Sequence, residues 1–197
     1  MKKIWELLKS PSNKPLGLVV FAGMMVGMFG WIIFNGALGM SNSMEFCVSC
    51  HEMSYAYEEY KETVHYKSPS GVRATCADCH VPKADSVGGW FAKMKAKMMA
   101  SKDTYHYILG TYDTKEKYEA GRWAMANAVW DKMRARNSKE CLSCHDFDAM
   151  DLEEQDRSAR KKHGKAIKAG EQCIDCHTGI AHEEPEEPEE EEEEEEG

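Results

Sequence analysis

The sequence predicts a mostly α-helical chain: a single N-terminal transmembrane helix, then a small domain of short helices and loops. Three observations carry that reading. Residues 16–38 hold no charged side chain. All eight cysteines fall in four copies of one short motif, Cys-x-x-Cys-His. The long interval between the second and third copies repeats large apolar residues at helical spacing.

The first element is the apolar run at 16–38, LGLVVFAGMMVGMFGWIIFNGAL. Its length as a helix matches a hydrocarbon core of roughly 30 Å. Lys2, Lys3, Lys9 and Lys14 precede it, so residues 1–15 are expected in the cytoplasm and the rest of the chain outside. A cleaved signal peptide is the rival reading. Its apolar region is ordinarily about 7–15 residues and ends at a small-residue cleavage site. This run is longer, and Gly36 to Gly39 make a weak site, so an uncleaved anchor is expected. Gly23-x-x-x-Gly27 matches a helix-association pattern, which leaves a homo-oligomer open.

The four motifs are Cys47/Cys50/His51, Cys76/Cys79/His80, Cys141/Cys144/His145 and Cys173/Cys176/His177. Cys-x-x-Cys-His is the attachment sequence of c-type haem. The two thiols bond to the haem vinyl groups, and the adjacent histidine meets the iron. A single copy also suits a zinc half-site or a redox dithiol. Four copies with no cysteine left over point to four covalently bound haem c groups, and 39–182 is expected to be a small multihaem cytochrome c domain. Attachment of c-type haem takes place outside the bacterial inner membrane, which agrees with the charge argument for orientation. Asn42 to Glu45 lead directly from the helix to Cys47, so the first haem is expected at the membrane surface.

Successive motifs start 29, 65 and 32 residues apart, with His65 inside the first interval and His163 inside the last. The chain thus reads as two related dihaem units around a longer insert. In the insert, Gly88-Gly89 close the preceding loop, and Trp90, Met94 and Met98 mark a helix. A break follows near Gly110, and Thr114 is a candidate N-cap for a second helix running to about Arg136. Residues 183–197 hold twelve glutamates; without them the net charge of −9 becomes about +3. That run reads as a disordered, low-complexity tail on a slightly basic body, and no nucleic-acid partner is expected.

Iron ligands can be counted. The motifs supply four of the eight histidines; the others are His65, His106, His163 and His182. Two histidines per haem would use all eight. Alternatively Met53 replaces His51 at the first haem, and His65, His163 and His182 complete the other three, leaving His106 spare. Axial ligand identity is the protein's main means of setting potential. His182 follows His177 too closely to reach the opposite face of the same iron, so it is expected to serve a neighbouring haem.

Several strings together resemble the NapC/NirT family of membrane-anchored tetrahaem cytochromes c, with NrfH among its relatives. They are PSNKPLG at 11–17, FCVSCHEM at 46–53, CADCHVP at 76–82, GTYDTKEKYEA at 110–120, CLSCHDF at 141–147 and CIDCHTGIAH at 173–182. The resemblance runs from about residue 3 to 182 and is closest in motif to NapC. It implies a quinol dehydrogenase that oxidises quinol, menaquinol foremost, at the outer membrane face. Electrons then go to a periplasmic terminal reductase, with nitrate or nitrite reductase foremost. It also implies methionine ligation by Met53 and a quinol pocket lined by a lysine and an aspartate, here Lys97 and Asp103. On one regular helix Lys95 would lie nearer Asp103 in angle than Lys97. One departure is Lys83, where NapC-like members often carry histidine; His106 is then the substitute ligand in an all-histidine scheme. The alternative function is a haem electron-transfer module or anchor with no quinol site of its own.

Overall fold

The computed structural model describes residues 13–188, so Lys2, Lys3, Lys9 and the glutamates from 189 onward lie outside the described residues. The described chain is helical with no strand, as expected. It divides into two units, with the boundary between Ser41 and Asn42.

The first unit is helix α1, Leu16–Met40, two residues longer than the apolar run suggested. It is apolar on every side and none of it is buried, the surface expected of a helix whose surroundings are lipid. At 1.5 Å per residue it spans about 37 Å, long enough to cross a hydrocarbon core. The polar side chain of Asn35 donates to the Trp31 carbonyl one turn back at 2.8 Å, so its amide is partly satisfied within the helix.

The second unit holds α2 (Met44–Cys47), α3 (Met53–Lys61), α4 (Cys76–His80), α5 (Val87–Met99), α6 (Ser101–Ile108), α7 (Lys115–Arg134), α8 (Lys139–Leu142) and α9 (Arg157–Ala169). Two short 3-10 turns, Phe147–Ala149 and Cys173–Asp175, complete it. The insert forms three helices where two were expected, because a turn at Ala100 separates α5 from α6. Gly88 and Gly89 do not end the preceding loop. They form the first turn of α5, where Ser86 caps the Gly89 N–H at 3.0 Å. A Cβ on Gly89 would come within 2.5 Å of the Lys83 carbonyl, which explains the glycine. Thr114 caps α7 as expected, accepting from Lys117 N–H at 3.4 Å.

Few apolar side chains are buried. Among the described residues only Tyr60, Tyr118, Trp130 and Ile174 form a side-chain core. Domains of this size ordinarily bury well over half of their unfolded surface. So thin a core suits a fold whose interior contacts come largely from prosthetic groups.

Polar ties do much of the remaining positioning. Just beyond the end of α7, Asn137 and Ser138 are both left-handed, with φ of 55° and 48°. That sharp reversal turns the chain into the third motif. Ser138 is fully buried, and its Oγ accepts from the Ile174 N–H of the fourth motif at 3.4 Å. Arg134, near the end of α7, reaches Asp175 in the fourth motif at 2.9 Å. Glu183 and Glu184, the first glutamates of the acidic run, are held against the body rather than loose. Arg122 donates to the Glu183 carbonyl, and Thr178 donates to the Glu184 carboxylate.

Candidate haem-binding site

Each motif is a tight helical turn, and its second variable residue sets that turn. In the second and fourth motifs this residue is an aspartate. Asp78 accepts from the Thr75 N–H at 2.8 Å, and Asp175 accepts from the Gln172 N–H at 3.0 Å, each closing a capping box. In the first and third motifs it is a serine. Ser49 and Ser143 each donate to the carbonyl three residues back, Phe46 and Glu140, at 2.7 Å. The two halves of the domain therefore repeat in local chemistry as well as in spacing.

The sequence assigns one role, haem attachment, to all eight cysteines, but the structure does not place them alike. No disulfide joins any two of the eight. The leading cysteines Cys47, Cys76, Cys141 and Cys173 are all half-buried. The trailing ones differ: Cys50 and Cys79 are half-buried, whereas Cys144 and Cys176 are exposed. Identical motifs do not announce that difference. The Ser143 hydroxyl lies 3.8 Å from Cys144 Sγ.

The motifs lie beside one another in chain order. Met44 and Cys76 bring sulfur atoms to 3.1 Å, joining the first motif region to the second. Burial, and then the nearby Cys47, pushes the Cys76 thiol up to about 11. Burial raises Cys79 as well, with Asp78 and then Cys144 of the third motif adding to it. Burial, and then Cys173 and Cys79, pushes Cys141 up to about 11. The third motif thus neighbours both the second and the fourth.

Three motif histidines face a second histidine. His80 and His182 have ring centres 6.2 Å apart, His65 and His145 6.1 Å, and His163 and His177 6.1 Å. A metal-bound imidazole nitrogen sits about 2 Å from its metal, with the ring centre about 1.1 Å further back, so two imidazoles across one iron have centres roughly 6 Å apart. All three spacings fit that arrangement. Each pair joins one motif histidine to one of the separate histidines. His80 is pushed down to about 4 by burial, with His182 and Lys132 adding to it, and His182 is lowered mainly by burial. Both are therefore neutral near pH 7, the form that binds metal.

The separate histidines are held by different devices. His65 lies in the loop after α3. The single Tyr60 O–H lies within hydrogen-bond reach of the carbonyls of both His65 and Ala74, and the Ala74 N–H donates to the His65 carbonyl at 3.1 Å. His163 lies on α9, and its Nδ1 meets Gln155 Oε1 at 2.6 Å, the outer contact that fixes a ligand's tautomer. His182 follows the last motif on irregular backbone.

The first motif differs. His51 faces Tyr107 of α6, with ring centres 5.7 Å apart, rather than a second histidine. His106, the preceding residue of α6, hydrogen-bonds Thr111 through Nδ1 at 3.1 Å and lies against Tyr105 and Tyr112. Met53 opens α3 and is 43% exposed. Glu52 beside it is buried, with one carboxylate oxygen 3.6 Å from His51 Nε2. Lys97 is half-buried on α5, and burial lowers its pKa while Cys47 opposes that shift. Lys97 therefore lies within electrostatic reach of the first motif. Asp103 is exposed in the first turn of α6. The turn at Ala100 removes the single-helix geometry on which Lys95 was the better partner for Asp103. The tyrosine, aspartate and serine contacts were not anticipated from the sequence. The aspartates and the serines, each recurring at one place in two motifs, left a legible signal.

Paired thiols in four tight turns, with three histidine pairs set at iron-spanning distances, make this chain a c-type cytochrome, a protein of electron transfer. It belongs to the NapC/NirT cytochrome c family, whose N-terminal region profile matches residues 10–187. A tetraheme cytochrome-c type protein of Allochromatium vinosum is 51% identical over 176 residues, covering 88% of this chain and 92% of that one. The cytochrome c-type protein NapC of Escherichia coli is 44% identical over 187 residues, covering 94% and 91%. The denitrification system component NirT of Stutzerimonas stutzeri is 46% identical over 185 residues, covering 93% and 90%. No solved structure matches the chain.

Proposed function

We propose that this protein is a quinol dehydrogenase of the bacterial inner membrane, anchored by α1 with its second unit in the periplasm. It carries four haem c groups, one on each motif, and passes electrons to a periplasmic terminal reductase. The observation that carries the reading is the asymmetry of the motifs. Three have a second histidine at iron-spanning distance, whereas the first, which follows the apolar helix closely in the chain, has Tyr107 instead. Under this reading the thiol pairs Cys47/Cys50, Cys76/Cys79, Cys141/Cys144 and Cys173/Cys176 hold the four haems. His80/His182, His145/His65 and His177/His163 would bind the irons of three haems. Met53 would bind the iron of the first haem in place of His51. The haems supply one-electron carriers of differing potential.

Quinol oxidation releases two protons and two electrons, so the residues beside the first motif must handle protons and charge. Asp103 accepts one of the two protons from a quinol hydroxyl, and the other passes to water. Lys97 donates to the quinol oxygen and stabilises the anion that develops there. Partial burial suits Lys97 to that role, since a desolvated ammonium gains more from an anionic partner. Phe91, Met98, Tyr105 and Ile108 leave α5 and α6 with exposed apolar side chains suited to a lipid-soluble substrate. The name of the NirT relative refers to denitrification, which supports nitrate or nitrite reductase as the partner class.

The test is reduction of the purified, haem-loaded protein in detergent by a menaquinol analogue. The reading expects rapid reduction, slowed at least ~100-fold in Asp103→Asn, the low end of what a positioned general base contributes. Absence of reduction in the parent protein would leave an electron-transfer module without its own quinol site. Unchanged reduction in Asp103→Asn would remove Asp103 from the mechanism.

A further inference from the structure

One charge cluster, centred on a buried arginine, has no part in the site described so far. Arg122 of α7 is 8% exposed. Its guanidinium meets Glu59 of α3 with two nitrogens, Nη1 to Oε1 at 2.7 Å and Nη2 to Oε2 at 2.5 Å. Nη1 also donates to Glu119, one turn back, at 3.2 Å. The remaining contacts go to the stretch that follows the fourth motif. Arg122 Nη2 donates to the Glu183 carbonyl at 2.7 Å, and the Glu183 N–H donates to Glu59 Oε2 at 2.9 Å. One ion pair, drawn from two helices, thus takes both backbone groups of a single residue. That residue is the covalent neighbour of His182, whose ring faces His80.

The segment depends on such a hold. No helix carries the chain from His177 to Pro188, so regular backbone hydrogen bonding does not place His182. His163 is placed by a helix and His65 by Tyr60, and neither device reaches residue 182. A buried ion pair adds little net stability over an apolar pair of similar volume, because desolvation offsets the attraction. Its role is therefore better sought in what its directional bonds hold. A ligand must be fixed to a fraction of an ångström for its support to be effective.

We propose that the Glu59–Arg122 pair is a positioning device for His182, clamping the Glu183 backbone so that the imidazole meets the iron opposite His80. The proposal rests on the reading of His182 as an axial ligand. Loss of either partner releases that one ligand and leaves the thioether bonds and the other three haems as they are.

The experiment uses the full-length, haem-loaded protein in detergent, with haem content and low-temperature EPR as readouts. His182→Ala is the reference and is expected to convert one haem from low to high spin. Arg122→Met and Glu59→Gln are then expected to convert the same haem, at unchanged haem content, and added imidazole restores its low-spin signal in all three. Glu59→Gln keeps an acceptor for the Glu183 N–H but loses the charge that holds Arg122, and it decides the matter if Arg122→Met does not accumulate. Unchanged spin states in His182→Ala would overturn the ligand reading and the proposal with it. Conversion in His182→Ala with unchanged spin states in the clamp variants would overturn the clamp alone. Equal conversion of every haem in Glu59→Gln would also overturn it, since a general loss of fold is not positioning.

Discussion

At the scale of residues, His106 separates the two ligand schemes. An all-histidine scheme needs its ring on an iron, yet its Nδ1 is 3.1 Å from Thr111 Oγ1 and its faces lie near Tyr105 and Tyr112. His65 is the contrast. Its ring is 6.1 Å from that of His145, and Tyr60 fixes the loop that carries it. His106→Ala is therefore expected to keep every low-spin EPR signal of the parent protein. His65→Ala is expected to lose one of them. A low-spin signal lost in His106→Ala would restore the all-histidine scheme. The sequence held the right residues for this question but not the answer, because eight histidines for four irons balance numerically. Only the placement of each ring shows which histidine lacks an opposite number.

At the scale of elements, helix ends decide where the separate histidines sit. α9 carries His163, and Asp156 caps it by accepting from the Ser158 and Ala159 N–H groups at 2.8 and 3.0 Å. Those bonds, the Ala159 one foremost, hold the Asp156 carboxyl below its usual pKa of 3.8. A depressed carboxyl pKa means the folded state binds the proton less readily than the unfolded state. The cap's contribution is therefore complete above the ordinary carboxyl value and is lost as pH falls through the lower folded value. Helicity followed by circular dichroism on acidification is expected to fall later in the parent than the ordinary carboxyl titration would give. Asp156→Asn keeps an acceptor but cannot titrate, so this part of the pH dependence disappears. The helices around the site were largely legible. Thr114 announced the start of α7, and the spacing of Trp90, Met94 and Met98 announced α5. The turn at Ala100 was not legible, because alanine is the strongest helix former and no local signal marks a break there.

At the scale of the whole molecule, the second unit has four buried apolar side chains among its described residues and three histidine pairs. Two of those pairs cross between the halves suggested by motif spacing. His65 of the first half faces His145 of the second, and His182 of the second faces His80 of the first. Bound haem would therefore join the halves as well as fill them. The chain made without haem attachment is expected to show no cooperative thermal unfolding of this unit by circular dichroism. The haem-loaded protein is expected to unfold in one transition. A cooperative transition of similar size in the haem-free chain would show that side-chain packing alone suffices.

The sequence by itself determined the cofactor class, the motif histidines, the apolar helix and the family, since each is written in contiguous residues whose spacing has one strong physical reading. Tertiary structure alone decided which separate histidine faces which motif, that His51 faces Tyr107, and that Arg122 and Glu59 grip the backbone beside His182. It also decided that Cys144 and Cys176 stand exposed while Cys50 is half-buried, although all three occupy the same place in their motifs. Glu59 and Glu183 are 124 residues apart along the chain. No local propensity or period encodes such a contact, because it exists only when α3, α7 and the end of the domain have folded together.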